Sequence, residues 1–450
     1  MNALMPSIAG IRLEFILFAL TLLGVAVTHK RAFWVAIGGM TVVLAYKLIF
    51  DPGFHLAHHL LGSRPLLDQI LHKGLREGEW AILLNLLGLL LGFAVLARIF
   101  EESGVPEVMP RLLPDDWRGP FALLAFVFVL SSFLDNIAGA LIGGTVALAV
   151  FDGRVHLGYL AAIVAASNAG GAGSVVGDTT TTMMWIDGVS PINVLHAYVA
   201  AGAAFLFFAF FASRQQDRHR RIEKDPRPGA RIDWGRLAVV GLILAGAILG
   251  NVLLDLPAVG VWIAIVLGRF LRPVPWKEAR GALLGAAFLL SLVMCASLMP
   301  VEELPPASWH TAFALGFVSA VFDNIPLTKL CLDQGCYDWG MLAYAVGFGG
   351  SMIWFGSSAG VALCSRFPEG RDVLGWLRQG WHVAVAYVIG FFVLLALCGW
   401  EPGDTREMKA SECPARLGVV VFPVAHTHTP DSPPPGKTGA RSLLRISPPR

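Results

Sequence analysis

Apolar residues run along this chain in membrane-length blocks. Windows of about 20 apolar residues fall near 11–28, 32–50, 80–100, 157–186, 191–213, 236–254, 257–271, 281–299, 339–364 and 376–399. Two further apolar segments, 120–151 and 310–332, break the pattern because each carries Asp-Asn near its centre. A lipid-facing helix would not tolerate a carboxylate there. The pattern therefore predicts that each is two short helices meeting at a polar tip, a re-entrant hairpin that enters and leaves on one side. Such backbone survives at membrane depth only when buried in protein or lining a cavity.

The two tips are copies. Ser132-Phe133-Leu134-Asp135-Asn136-Ile137 is echoed by Ala320-Val321-Phe322-Asp323-Asn324-Ile325. Each is followed by a Gly-rich, hydroxyl-rich run, Asn168 to Thr182 and then Gly347 to Ser358, in which Gly170, Gly171 and Gly177 align with Gly349, Gly350 and Gly356 without a gap. Glycine weakens a helix interior, so a discontinuous helix is predicted in each run, at about 157–186 and 339–364. The first run holds Ser174, Asp178, Thr179 and Thr180; in the second, Ser357 and Ser358 stand where Asp178 and Thr179 do, with Ser351 before them. Glycines alone would read as small-residue helix packing. With Asp178 embedded they read as a functional break, and no strand or Gly-Lys-Ser/Thr makes the run a phosphate loop.

Loop charge tests the hairpins. If neither Asp-Asn segment crosses, and the linker 214–235, rich in arginine and including Lys224 and Arg227, is cytoplasmic, then the other Lys- and Arg-bearing loops fall inside. Loops 187–190, 255–256, 300–309 and 333–338, which lack Lys and Arg, fall outside; the outer segment 51–79, with Arg64, Lys73 and Arg76, is the exception. Counting either hairpin as a crossing would swap every later loop. Each half then holds five crossings and one hairpin, and an odd number of crossings inverts the second copy. The fold expected is an all-α polytopic membrane protein of two inverted repeats, 1–213 and 236–400, joined by the basic linker, with the N-terminus outside and a first span that is not cleaved. Residues 401–450, dense in proline, are expected to be a disordered tail placed outside.

Composition agrees. The chain is 55% hydrophobic and 15% charged, with a mean hydropathy of +0.64, far from a soluble domain. A net charge of +2 without a basic stripe gives no nucleic-acid partner; the lipid bilayer and small ions are the partners expected, in a bacterial-type inner membrane. Of six cysteines only Cys331 and Cys336 are close; they could bridge in an oxidising compartment, but small apolar core residues is the simpler reading. His55, His58, His59 and His72 sit in a segment that looks interfacial, with no metal site assigned. Glu14, Lys47, Asn85, Asn251 and His382 are isolated and receive no role.

The candidate chemistry centres on Asp135 and Asp323. At a broken tip the carboxylate, the Asn136 or Asn324 amide and freed carbonyls offer hard oxygen ligands to small cations, and a carboxyl removed from water can hold a proton instead. Each Asp could also simply cap the helix that follows, and the two roles are compatible. Asn168, Ser174, Asp178, Thr179, Thr180, Thr328, Ser351, Ser357 and Ser358 complete the candidate set. Lys329, about 9 Å of helix past Asp323, could pair with a site carboxylate, or pair with Asp333 at i,i+4 and snorkel outward; the second reading is preferred.

These residues resemble a known family. The Phe-Leu-Asp-Asn-Ile tip, the Asn-Ala-Gly-Gly run ending in Gly177-Asp178 and hydroxyls, Asp-Asn-Ile-Pro-Leu-Thr at 323–328 and Gly-Gly-Ser at 349–351 with Gly-Ser-Ser-Ala-Gly-Val at 356–361 are similar to NhaD-type sodium/proton antiporters. These belong to the ion transporter superfamily, with ArsB-type arsenite permeases and citrate or dicarboxylate carriers. The resemblance covers about 80–399. The first tip departs from the second in lacking a hydroxyl matching Thr328, since Ala140 stands there. It implies a secondary transporter, not an enzyme, without cofactor, in which Asp135, Asp178 and Asp323 bind sodium or lithium and protons in exclusive alternation. It also implies a homodimer. A carrier of citrate or another anion is the alternative, although Asp at the tips would confront a negative substrate.

Overall fold

The computed structural model describes residues 6–8, 11–28, 31–72, 75–222, 231–405 and 413. Lys30, Lys73, Lys224, Arg227 and the tail from 406 on, Cys413 excepted, lie outside the described residues. Apart from a two-residue antiparallel pairing of β1 (Ser7–Ile8) with β2 (Ile11–Arg12), the described architecture is helical.

The first half runs α1 (Leu13–Val27), α2 (Ala32–Phe50), the short α3 (Leu56–Leu61) and α4 (Leu66–Leu71), α5 (Trp80–Glu101), α6 (Val105–Val108), α7 (Arg118–Ser131), α8 (Asn136–Val150), α9 (Leu157–Ala172), α10 (Thr179–Ile186), α11 (Ile192–Leu195) and α12 (Ala197–His219). The second runs α13 (Trp234–Leu254), α14 (Pro257–Gly268), α15 (Trp276–Ser297), α16 (Trp309–Ser319), α17 (Asn324–Gln334), α18 (Trp339–Leu342) continued by a π-helix (Ala343–Phe348), α19 (Ser358–Arg366), α20 (Val373–Gln379) and α21 (Trp381–Cys398). Among the described residues, six helical stretches are long and apolar enough to cross a membrane: α2, α5, Ile192–His219, α13, α15 and α21.

The element order recurs. In both halves two helices are followed by a long helix, a pair of short helices, a broken helix and a final long helix. The packing recurs as well: α2 lies on α15 while α14 lies on α5, α8 lies on α19 while α17 lies on α10, and α12 and α21 run side by side. The arms α7, α8, α16 and α17, of 14, 15, 11 and 11 residues, are roughly 16–22 Å long at 1.5 Å per residue. None reaches the roughly 30 Å of a hydrocarbon core.

Local chemistry explains each break. Asp135 and Asp323 have extended ψ values of 142° and 140° and cap the next helix, accepting the N–H of Ile137 (3.2 Å) and Ile325 (3.1 Å). The capping role expected of both is therefore present. Across each break the hairpin meets the broken helix through glycine: a Cβ on Gly170 would overlap the Phe128 carbonyl, and one on Gly349 the Gly316 carbonyl. Gly177 and Gly356 likewise face the Ser131 and Ala320 carbonyls. Any side chain there would push the tip away from the break.

Two expectations need correction. Cys331 is a buried free thiol, but Cys336 forms a disulfide with Cys413, 77 positions on, instead of packing as a small apolar residue. The start of the tail is also held rather than loose. Trp339 Nε1 donates to Gly403 O (2.9 Å), Gly403 N donates to Tyr337 O (3.0 Å) and Glu401 N donates to Asp338 Oδ2 (3.0 Å). Some residues given no role are structural: Glu14 pairs with Arg12 at 2.7 Å, Lys47 with Asp51 at 3.6 Å, and Asn85 Oδ1 accepts Ala258 N at 3.2 Å. Each closes a helix end or a helix contact.

Candidate functional site

Both tips and both breaks converge on one buried polar cluster. In the first half Thr179 Oγ1 donates to Asp135 Oδ1 (3.2 Å). In the second, Ser358 Oγ donates to Asp323 Oδ2 (2.9 Å). Thr179 and Ser358 are the first residues of α10 and α19, so the two contacts occupy equivalent places in the two halves.

Asn136 and Asn168 tie the halves together. Asn136 Nδ2 donates to Asn168 Oδ1 (3.0 Å) and Asp178 Oδ1 (2.7 Å), while Asn168 Nδ2 donates to Ser351 Oγ (2.9 Å) and Ser357 Oγ (3.2 Å) of the other half. The Ser167 hydroxyl donates to the Asn136 carbonyl, a contact that sequence reading missed because a lone serine in an alanine-rich helix gives no signal. Ser357 also caps α19, accepting Gly360 N at 3.3 Å. Asp178 sits at the same place before α10 but forms no cap hydrogen bond of good geometry.

The equivalence then fails in an informative way. Asn324 matches Asn136, yet its Nδ2 is buried without a partner. The residues that would receive it, by alignment with Asn168 and Asp178, are Gly347, which has no side chain, and Ser357, already engaged. Asp178 Oδ2 and Thr180 Oγ1 are likewise buried without a well-formed hydrogen bond, although the Thr180 hydroxyl lies beside the Asp178 carboxyl, and a Cβ on Gly347 would lie 3.2 Å from that same Asp178 oxygen. An amide N–H thus remains unsatisfied, beside a carboxylate oxygen and a hydroxyl that face each other without a well-formed bond, in a cluster where buried polar groups are normally paired.

Other candidates are not brought in. Thr328 Oγ1 is spent on the Asn324 carbonyl one turn back (3.0 Å). Ser174 lies in the break, where its carbonyl accepts Thr181 Oγ1 (2.6 Å) and its hydroxyl accepts Val176 N (3.4 Å). Lys329 pairs with Asp333 (2.6 Å), as preferred, but also with Glu79 (2.8 Å), and with a side chain only 2% exposed it does not snorkel. Glu79 was not singled out in the sequence, since it lies in a polar loop far along the chain.

A cavity of about 330 Å³ reaches Asp323 and Ser358 and touches Ile137 of the first tip, so both tips border it; Leu22, Phe288 and Val361 form its apolar walls. A second, of about 620 Å³, shares Val361 and is lined by Arg31, Trp354, Ser365 and Arg371. The two cavities thus adjoin at Val361, one bordering Asp323 and the other Arg31 and Arg371.

A family model described as "Citrate transporter" matches residues 15–349. Curated relatives include "Sodium/proton antiporter 1" of Arabidopsis thaliana, 29% identical over 60% of this chain and 55% of the relative. "Na(+)/H(+) antiporter NhaD" of Alkalimonas amylolytica is 28% identical over 60% of this chain and 67% of the relative. The protein of that name from Vibrio parahaemolyticus is 28% identical over 62% and 80%. The chain thus spans little more than half the length of the plant relative.

Proposed function

The chain belongs to the citrate transporter family, and from that premise we propose that it is a secondary transporter exchanging sodium or lithium for protons by alternating access. The observation that carries the reading is the cluster itself. Asp135, Asp178 and Asp323 are surrounded by hydroxyls and amides, and the side-chain hydrogen bonds to them come from Asn136, Thr179 and Ser358. Asp178 Oδ2 and Thr180 Oγ1, side by side without a well-formed hydrogen bond, suit a small hard cation or a proton but not both together. Relatives named as sodium/proton antiporters support the same choice. Ser174 and Thr328 drop to supporting roles.

In this reading the halves are inverted repeats, 1–213 and 236–400, each of five crossings and one re-entrant hairpin. The recurrence of element order and the reciprocal packing support it. The basic linker faces the cytoplasm, the N-terminus and the tail face outward, and the Arg31–Arg371 cavity is the cytoplasmic approach. A second reading, a carrier of citrate or another carboxylate, is favoured by the family's description and by one feature of the cluster: the unpartnered Asn324 Nδ2 is a donor, and donors suit anions.

Everted membrane vesicles with a pH-sensitive dye decide between them. Adding sodium or lithium is expected to release an imposed proton gradient, and Asp135→Asn, Asp178→Asn and Asp323→Asn to abolish that release. No proton movement with the unaltered protein would end the antiporter reading, and uptake of labelled citrate would put the second in its place.

A further inference from the structure

The ion cluster around Lys329 lies outside the polar cluster yet joins the two halves of the chain. Lys329 and Asp333 are on α17, the helix whose N-terminal cap is Asp323, and Glu79 directly precedes α5. Nζ of Lys329 is 2.8 Å from Glu79 Oε1 and 2.6 Å from Asp333 Oδ1. The two contacts differ in kind. Lys329–Asp333 is an i,i+4 pair that travels with α17 whatever that helix does. Lys329–Glu79 links positions 250 apart and persists only while α17 keeps its place relative to α5. A buried ammonium resists losing a carboxylate, because the charge left behind is poorly compensated.

The position of this contact matters as much as its strength. Leu330, beside Lys329, belongs to one hydrophobic cluster with Leu298 and Met299, just past the C-terminal end of α15. The cavity that reaches Asp323 is lined by Gly285 and Leu289 of α15, roughly two to four turns earlier. The start of α17 therefore borders a cavity while its midpoint is tied down by a buried ion pair.

We propose that Lys329 is a positioning residue of the transport cycle: by holding Glu79 it locks α17, and Asp323 with it, against opening on the Glu79 side, and it must release Glu79 while keeping Asp333 when the site turns to that side. The proposal rests on the alternating-access reading. It does not depend on which ion is carried.

Cys331, free and 3% exposed two residues beyond Lys329, is a native reporter. In a background with Cys295, Cys364 and Cys398 replaced by Ala and the disulfide intact, its labelling by a membrane-impermeant maleimide is followed in right-side-out and in everted vesicles. Glu79→Gln is expected to speed labelling from the outer side roughly tenfold or more with little change from the inner side. Lys329→Arg and Asp333→Asn, which keep a cation facing Glu79, should label as the parent does. Equal labelling of Glu79→Gln and parent overturns the proposal, and so does an equal acceleration by Asp333→Asn. Should Glu79→Gln not survive solubilisation, Glu79→Asp carries the same test, with a smaller rise expected from its shorter reach. Flux assays run alongside separate the two readings, since a protein that moves citrate instead of sodium would still report the lock.

Discussion

Asn136 and Asn324 occupy the same place in two copies of one motif, and the structure predicts that losing them has unequal consequences. Asn136→Ala removes two hydrogen bonds, one to Asn168 Oδ1 and one to Asp178 Oδ1. A neutral bond contributes about 1 kcal/mol and one to a charged group about 1.5–3 kcal/mol, with membrane values toward the low end. The expected loss is about 2–4 kcal/mol, because Asp178, whose Oδ2 already lacks a well-formed hydrogen bond, would keep no side-chain donor on Oδ1. Asn324→Ala removes an amide whose Nδ2 donates to nothing. Deleting an unsatisfied buried donor forfeits no bond and relieves its desolvation, so the change should lie within about 1 kcal/mol of zero. The assay is denaturant or thermal unfolding of purified protein in detergent, in buffer free of sodium and lithium, with both variants beside the parent. If Asn324→Ala destabilises as much as Asn136→Ala, the argument from missing partners at Gly347 and Ser357 is wrong.

Other perturbations reach different parts of the molecule. Gly170→Ala and Gly349→Ala, which would drive a methyl into the Phe128 and Gly316 carbonyls, should sharply reduce the yield of folded protein on gel filtration, whereas Gly202→Ala, with open space around it, should be neutral or stabilise by up to about 1 kcal/mol. Gly347→Ala places a methyl 3.2 Å from Asp178 Oδ2 and should raise the apparent KM for the carried cation roughly tenfold with little loss of folded protein, an effect read in vesicle flux titrations. If proton and cation exclude one another, that KM should rise by up to about tenfold per unit fall in pH over the range where the shared carboxyls take protons; a KM flat across pH 6–9 would refute exclusive binding. Cys413→Ser should free the 400–405 segment, seen as faster proteolysis there, and the native bridge should yield to an impermeant reductant in intact cells, since disulfides persist in the oxidising compartment.

Much of the architecture could be read from hydropathy interrupted by charge. The helix pair expected at about 120–151 is α7 and α8 at 118–150, and the pair expected at about 310–332 is α16 and α17 at 309–334. Those boundaries are legible because a capping Asp and a run of glycines act within a few residues of where they stand. What escaped is what depends on distant partners. Thr328 resembles a ligand by type, but its hydroxyl is taken by the carbonyl one turn back. Glu79 resembles any loop acid until Lys329 is placed beside it. Cys413 has no close cysteine neighbour in sequence, and only the return of residues 400–405 to Tyr337 and Trp339 brings it to Cys336. Within the π-turns of 343–348 the Val346 carbonyl accepts the Ser319 hydroxyl (2.7 Å), again a partner in another helix.

The exchange of partners between halves, α2 on α15 and α14 on α5, bears on how the molecule is made. A helix inserted early in synthesis meets its partner in the other half only after most of the chain has left the ribosome, so α2 waits in the bilayer with α1 alone against it. The contacts between the halves are therefore the last to form, after local pairs such as α1 with α2 and α13 with α14. A truncation before α15 should leave inserted but unassembled helices, a substrate for membrane quality control rather than a half-sized carrier.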